Sequence, residues 1–139
     1  MFMKKKIRVV YAASRIQSVN NNPQNLKSLV KICQSLGLKT TSGLWNVNIK
    51  SEERNRLVFE GDKKLIDSAD ATIADVSSPS LGVGWELAYS QSKRLPILAV
   101  ASIKSKNISA MILGNPYISF KRYKSLKDLK NIIKEWINK

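Results

Sequence analysis

The sequence predicts an α/β fold: an open parallel five-stranded sheet with helices on both faces, in a flavodoxin-like or Rossmann-like three-layer sandwich. Short β-rich runs alternate with segments of helical apolar spacing along the chain. Residues 71–76 read as a buried strand, and residues 95–100 are nearly all apolar, as central strands of parallel sheets are. A β-α-β-α order with right-handed crossovers then implies parallel pairing. Ligands of such sheets bind beyond the carboxyl ends of the strands, so the site is expected where the loops after the first, third and fourth strands converge.

Each element has its own signal. Residues 7–12, with Val9, Val10 and Tyr11, form the first strand, and residues 18–23 follow as a break and helix-start signal. Leu26, Leu29, Val30, Cys33 and Leu36 recur at helical spacing until Gly37 stops them. Residues 38–44 hold a candidate second strand, although Thr40, Thr41, Ser42 and Gly43 give it little apolar character. A second helix spans about residues 52–68, with Leu57, Val58, Leu65 and Ile66 as its stripe. After the buried run at 71–76 come Ser77-Ser78-Pro79-Ser80, then Gly82 and Gly84 at the start of a helix over 85–93, and then the strand at 95–100. A short helix near 108–113, a strand near 117–120 and a last helix complete the order. Ser125 reads as the N-cap of that last helix, and Leu126, Leu129, Ile132, Ile133, Trp136 and Ile137 give its apolar face. No repeat, low-complexity tract or linker interrupts the chain, so one domain over residues 1–139 is expected.

Composition narrows the chemistry. With 43% hydrophobic and 24% charged residues, wholesale disorder, collagen and a disulfide scaffold are excluded. One cysteine, Cys33, and no histidine remove both a Cys/His zinc site and every His-dependent nucleophile pair. Acid–base work falls to carboxylates, Lys, Tyr or Ser, and neither a metal nor an organic cofactor is expected. The basic start lacks a signal-peptide pattern and no apolar run approaches the ~20 residues of a membrane span, so a soluble cytoplasmic protein is expected. A net charge of +14, from 24 Lys+Arg against 10 Asp+Glu, suits anionic partners as well as it suits a solvated lysine-rich surface. The cluster Lys121, Arg122, Lys124, Lys127 and Lys130 lacks interleaved aromatics and reads as a solvated face, so nucleic acid is not expected as a partner.

The richest stretch is Ser77-Ser78-Pro79-Ser80-Leu81-Gly82-Val83-Gly84-Trp85-Glu86-Leu87. It joins a buried strand to a helix, so backbone N–H groups and the helix dipole make an anion-binding concavity. Gly82 and Gly84 let a ligand approach the main chain, and the serines add hydroxyls. Neither a dinucleotide fingerprint nor a P-loop is present. Glu86, near the helix start, is expected to be held ionised by the dipole, as a nucleophile toward a sugar anomeric carbon must be; the plainer alternative is a dipole-complementing Glu. Asp62 falls on or beside an apolar stripe, either at its exposed margin or facing a cavity, where it serves as an acid toward a leaving nucleobase. Ser14 and Arg15 follow the first strand at the ligand edge, where a guanidinium clamps a phosphate or is simply solvated. Tyr11 and Trp45 offer rings for a base or for core packing.

The run from Ala69-Asp70 to Leu87 resembles the nucleoside 2-deoxyribosyltransferase superfamily, most closely its branch of 2′-deoxynucleoside 5′-monophosphate N-glycosidases. The strand ending at Ser14, Glu60-Gly61-Asp62, and Ser109-Ala110-Met111-Ile112 extend the match over about residues 7–120. The resemblance implies Glu86 as nucleophile and Asp62 as the carboxylate that protonates the departing base. It implies Ser14, Ser80 and Ser109 as 5′-phosphate ligands; Tyr11, Arg15, Gly82, Gly84 and Met111 are expected as further substrate-binding positions. It also implies a homodimer in which Ser109 completes the neighbouring subunit's site. Transferases of unphosphorylated nucleosides carry Asp in place of Ser80 and Asn in place of Ser109. An Asp there repels a dianionic phosphate by several kcal/mol in a poorly solvated pocket, so two serines favour a nucleotide. After the first strand this chain has Ala13-Ser14-Arg15-Ile16-Gln17 where the branch has Gly-Ser-Ile-Arg-Gly, displacing the arginine by one position. The expected activity is hydrolysis of a (deoxy)ribonucleoside 5′-monophosphate to free base and sugar 5-phosphate. Its rivals are base exchange between deoxynucleosides and a non-catalytic basic module that binds nucleotide or nucleic acid.

Overall fold

The structure is a computed structural model, and it describes residues 5–16, 24–43 and 51–139. Among these residues the strands are β1 (Val9–Ser14), β2 (Lys39–Ser42), β3 (Ala71–Asp75), β4 (Ile97–Ser102) and β5 (Ser119–Tyr123). They alternate with helices α1 (Gln24–Ser35), α2 (Ser51–Asp67), α3 (Leu81–Ser92), α4 (Ala110–Leu113) and α5 (Leu126–Ile137). Every neighbouring pair is parallel, in the order β2-β1-β3-β4-β5. The direction of winding reverses between β1 and β3, which opens a crevice at their carboxyl ends.

Strand alternation divides the core into two layers. Val10 and Ala12 of β1 face α1 and α5, packing with Leu26, Leu29, Cys33, Leu129 and Ile133. Tyr11 and Ala13 face the other way, toward Ile66 of α2 and Val83 and Leu87 of α3. Helices therefore cover both faces, as expected. β1, β4 and β5 run past the apolar stretches that announce them, because the parallel ladder continues through polar ends: Ser14 pairs with Asp75, and Ser102 with Tyr123. The threonine-rich β2 is a real strand at the sheet edge, in register with β1 from Val9↔Lys39 to Ala12↔Ser42. Leu44, the break at residues 18–23 and Trp45 lie outside the described residues.

Two helices differ from expectation. α3 begins at Leu81, four residues early, because Ser80 caps it: the Ser80 Oγ accepts from the Val83 N–H at 3.3 Å and its carbonyl from the Gly84 N–H at 3.1 Å. Gly82 and Gly84 thus sit within the first turn. In α2 the expected stripe holds only toward the C-terminal end: Ile66 is fully buried while Leu57 is 39% exposed, leaving the N-terminal half beside the sheet's ligand edge. α1 stops as expected at Gly37, whose φ of 83° lets the Leu38 N–H reach the Cys33 carbonyl at 3.1 Å. In α5, Ser125 Oγ accepts from the Asp128 N–H at 3.1 Å, and Leu129 and Ile133 carry the buried face. Among the described residues no helix is long and apolar enough to cross a membrane.

Candidate active site

Alternation in β1 points Tyr11 at α3, and its hydroxyl donates to Oε2 of Glu86. Tyr11 is buried and Glu86 half-buried. Burial pushes the Glu86 carboxyl up to about 7. This corrects the expectation that the dipole holds it low. With α3 starting at Leu81, Glu86 is its sixth residue, beyond the first turn where the dipole acts, and desolvation prevails. An acid poised near neutrality in a cleft is a candidate functional group.

Glu86 opens on a cleft of about 230 Å³ that it shares with Asp62, Gly82, Arg54, Phe59 and Trp85. Of the two placements open to Asp62, the structure takes the cavity-facing one. Its carboxylate lies against the end of β2: a Cβ on Gly43 would come within 2.8 Å of Oδ2. Only a glycine leaves that carboxylate where it is. One wall of the cleft is a short aromatic ladder. Phe59 meets Trp85 edge-on at 5.1 Å, and Trp85 stacks on Tyr89 at 5.1 Å with rings 10° apart. Tyr89 in turn donates to Asp67 at 2.5 Å.

The other predicted residues gather elsewhere. Ser80, Gly84, Ser109 and Met111 line a larger cavity of about 930 Å³ between α3 and α4, separate from the cleft that holds Glu86. Ser109 caps α4, accepting from the Met111 N–H at 3.1 Å, and is exposed, as is Met111 at 82%. Ser14 ends β1 at the crevice, nearly buried, opposite Asp75; Arg15 beside it is exposed. One chain therefore brings Glu86, Tyr11, Asp62 and Gly82 together, and leaves Ser80, Gly84, Ser109 and Met111 facing a different space.

Gly43, Arg54, Phe59 and Asp75 were not singled out from the sequence. Asp75, 3% exposed, accepts from the Ser77 N–H at 2.9 Å and the Tyr123 hydroxyl at 2.7 Å, while Ser77 Oγ accepts from the Ser102 N–H at 2.9 Å. Burial and the Asp75 bond push the Tyr123 hydroxyl up to about 12. This network ties the loop before α3 to β4 and β5, and so fixes the helix carrying Glu86. Its only sequence signal is an acid ending a mainly apolar strand. Chemically, the cleft joins a half-buried carboxylate, a hydroxyl that stabilises its anion, a second carboxylate and an aromatic wall, the parts of a two-carboxylate glycosyl site.

No family model matches the chain. A 2′-deoxynucleoside 5′-phosphate N-hydrolase 1 of Syntrophotalea carbinolica is 40% identical over 79 residues, 56% of this chain and 56% of that protein. A protein of the same name from Thermofilum pendens is 32% identical over 116 residues, 81% of each chain. Among solved structures, a 2-deoxyribosyltransferase of Bacillus psychrosaccharolyticus superposes with a TM-score of 0.70 over 88% of this chain and 90% of its own, at 22% identity, a likeness of fold.

Proposed function

Because the chain belongs to the 2′-deoxynucleoside 5′-phosphate N-hydrolase family, we propose that it hydrolyses the N-glycosidic bond of a nucleoside 5′-monophosphate to free base and sugar 5-phosphate. The observation that carries the chemistry is Glu86, half-buried under the Tyr11 hydroxyl in a cleft that also holds Asp62. Ionised Glu86 bonds an oxygen to the anomeric carbon as the N-glycosidic bond breaks. The bond pair leaves with the base, which takes a proton from Asp62. Water then attacks the same carbon, gives its proton to the Asp62 carboxylate, and frees Glu86 and the sugar 5-phosphate. Tyr11 positions Glu86 and supports its anion; Phe59 and Trp85 form the wall beside the departing base.

The 5′-phosphate falls to serine hydroxyls and the α3 N-terminus: Ser14 and Ser80 from one chain, Ser109 from a second. One feature supports a homodimer built this way: beside Ser109 the apolar side chains of Leu81, Met111 and Leu113 are 96%, 82% and 50% exposed.

Incubating the protein with each ribo- and deoxyribonucleoside 5′-monophosphate and measuring released base tests the proposal. At least one should be cleaved, Glu86→Ala should abolish cleavage while leaving nucleotide affinity largely intact, and a second free base should yield no exchanged nucleoside. Exchange would make the enzyme a transferase. Binding without base release from any monophosphate would make it a binding module.

A further inference from the structure

The opposite edge of the sheet carries a second feature. Where β1, β2 and β4 begin and α1, α3 and α5 end, a groove of about 1090 Å³ is lined by seven cationic residues and a single acidic side chain, Asp70. Those cations are drawn from four separate places in the sequence, at positions 5–8, 39, 93–94 and 139; three belong to the basic start, and the fold brings the other four to them. Lys5 pairs with Asp70 at 3.0 Å, and Lys93 with Asp67 at 3.5 Å. Lys6, Arg8, Lys39 and Arg94 make no ion pair among the described residues. Three helix C-termini, at roughly half a negative charge each, do not balance those four.

Backbone geometry makes Arg94 informative. α1 and α3 end in the same way, with the amide two residues past the cap returning to a carbonyl five residues earlier: Leu38 to Cys33 at 3.1 Å and Leu95 to Ser90 at 3.0 Å. The left-handed position in that turn is Gly37 in α1, at φ 83°, as is usual. In α3 it is Arg94, at φ 58°, the one non-glycine residue with positive φ among those described. A strained position held by a cation that lines the groove points to use of the guanidinium there.

We propose that this groove binds single-stranded nucleic acid through its phosphates. Four cations without an ion pair among the described residues, spread over three stretches of chain in one groove of about 1090 Å³, suit a polyanion rather than one phosphate group. Trp136, half-buried in the groove wall, offers a ring that a base reaches only when it is unpaired. The groove lies at the amino ends of the strands, away from the cleft at their carboxyl ends, so it stands whether or not the catalytic proposal does.

The test is fluorescence anisotropy of labelled DNA and RNA oligonucleotides with the whole protein over a range of salt. Affinity should fall linearly with salt on logarithmic axes, with a slope of about −2 to −3 for three or four neutralised phosphates. Lys6→Ala and Lys39→Ala should each weaken binding about fivefold and flatten the slope by about 0.7. Arg94→Gly should weaken it similarly while the melting temperature holds or rises, since glycine fits the left-handed turn, so the loss cannot come from misfolding. Base release should be unchanged in all three. A double variant Lys121→Ala/Lys124→Ala, away from the groove, should bind as wild type. Three results overturn the proposal: no binding at low salt, equal losses in groove and control variants, or poly-glutamate competing as well as an oligonucleotide of equal charge.

Discussion

Glu86 is the residue on which the proposed chemistry turns, and in that role its position sets catalysis against stability. A nucleophile must be ionised, yet burial pushes this carboxyl up to about 7. In the free enzyme kcat/KM should therefore rise with pH through an inflection near 7, falling about tenfold per unit on the acid side. The substrate phosphate titrates near 6 and adds an inflection of its own. Tyr11→Phe separates the two: without the hydroxyl that donates to Glu86, the enzyme's inflection moves to higher pH and the substrate's stays. If neither moves, Tyr11 does not support the anion. The same burial has a sign for stability. Because the folded pKa lies above the ordinary 4.5, the folded state holds a proton the unfolded chain has lost. That contribution is whole below about pH 4.5 and disappears as pH rises through about 7, a swing on the order of 3 kcal/mol. Glu86→Gln cannot ionise, so it should melt higher than wild type at pH 8.5 and converge with it near pH 4.5. Equal melting temperatures at both pH values would show that Glu86 is not desolvated.

Elements explain what the sequence could and could not tell. The order of strands and helices was legible because burial on both faces writes apolar runs and 3.6-residue stripes into the chain. Glu86 and Asp62 were legible because the turn before α3 and the acid beside a stripe are local patterns. The charge state of Glu86 was not: it depends on where α3 starts, and the Ser80 cap, with two glycines inside the first turn, shifted that start by four residues. Gly43 was invisible for a related reason. In sequence it weakens a strand, whereas in space it is the clearance that lets the end of β2 pass beside the Asp62 carboxylate of α2. Gly43→Ala should push that carboxylate aside and lower kcat/KM by roughly 10- to 100-fold, as a misplaced catalytic group does. The tip of an Asp side chain can swing away, so stability should change by no more than about 0.5 kcal/mol. Unchanged turnover would remove Asp62, in its present placement, from the mechanism. The basic groove was hidden for the same reason at longer range, since its cations meet only when three helices end at one sheet edge.

For the molecule as a whole, the question is whether one chain holds a complete site. Glu86 and Asp62 share one cleft, while Ser109 opens on another cavity beside exposed Leu81 and Met111. If Ser109 serves its partner, each active site takes its carboxylates from one subunit and a phosphate hydroxyl from the other, as a two-fold interface permits. Two inactive variants should then rescue each other. In a mixed dimer of Glu86→Ala and Ser109→Ala, one site combines both defects, and the second combines an intact Glu86 with an intact Ser109. Mixing equal amounts under exchange should place half the chains in mixed dimers and restore about a quarter of the wild-type sites. Were Ser109 to act within its own chain, every site in every dimer would carry one defect, and mixing would restore nothing. Adding Met111→Glu to both variants should prevent the rescue by placing a charge on the apolar face, and sedimentation should show monomers. Rescue that survives in such monomers would rule out the shared site.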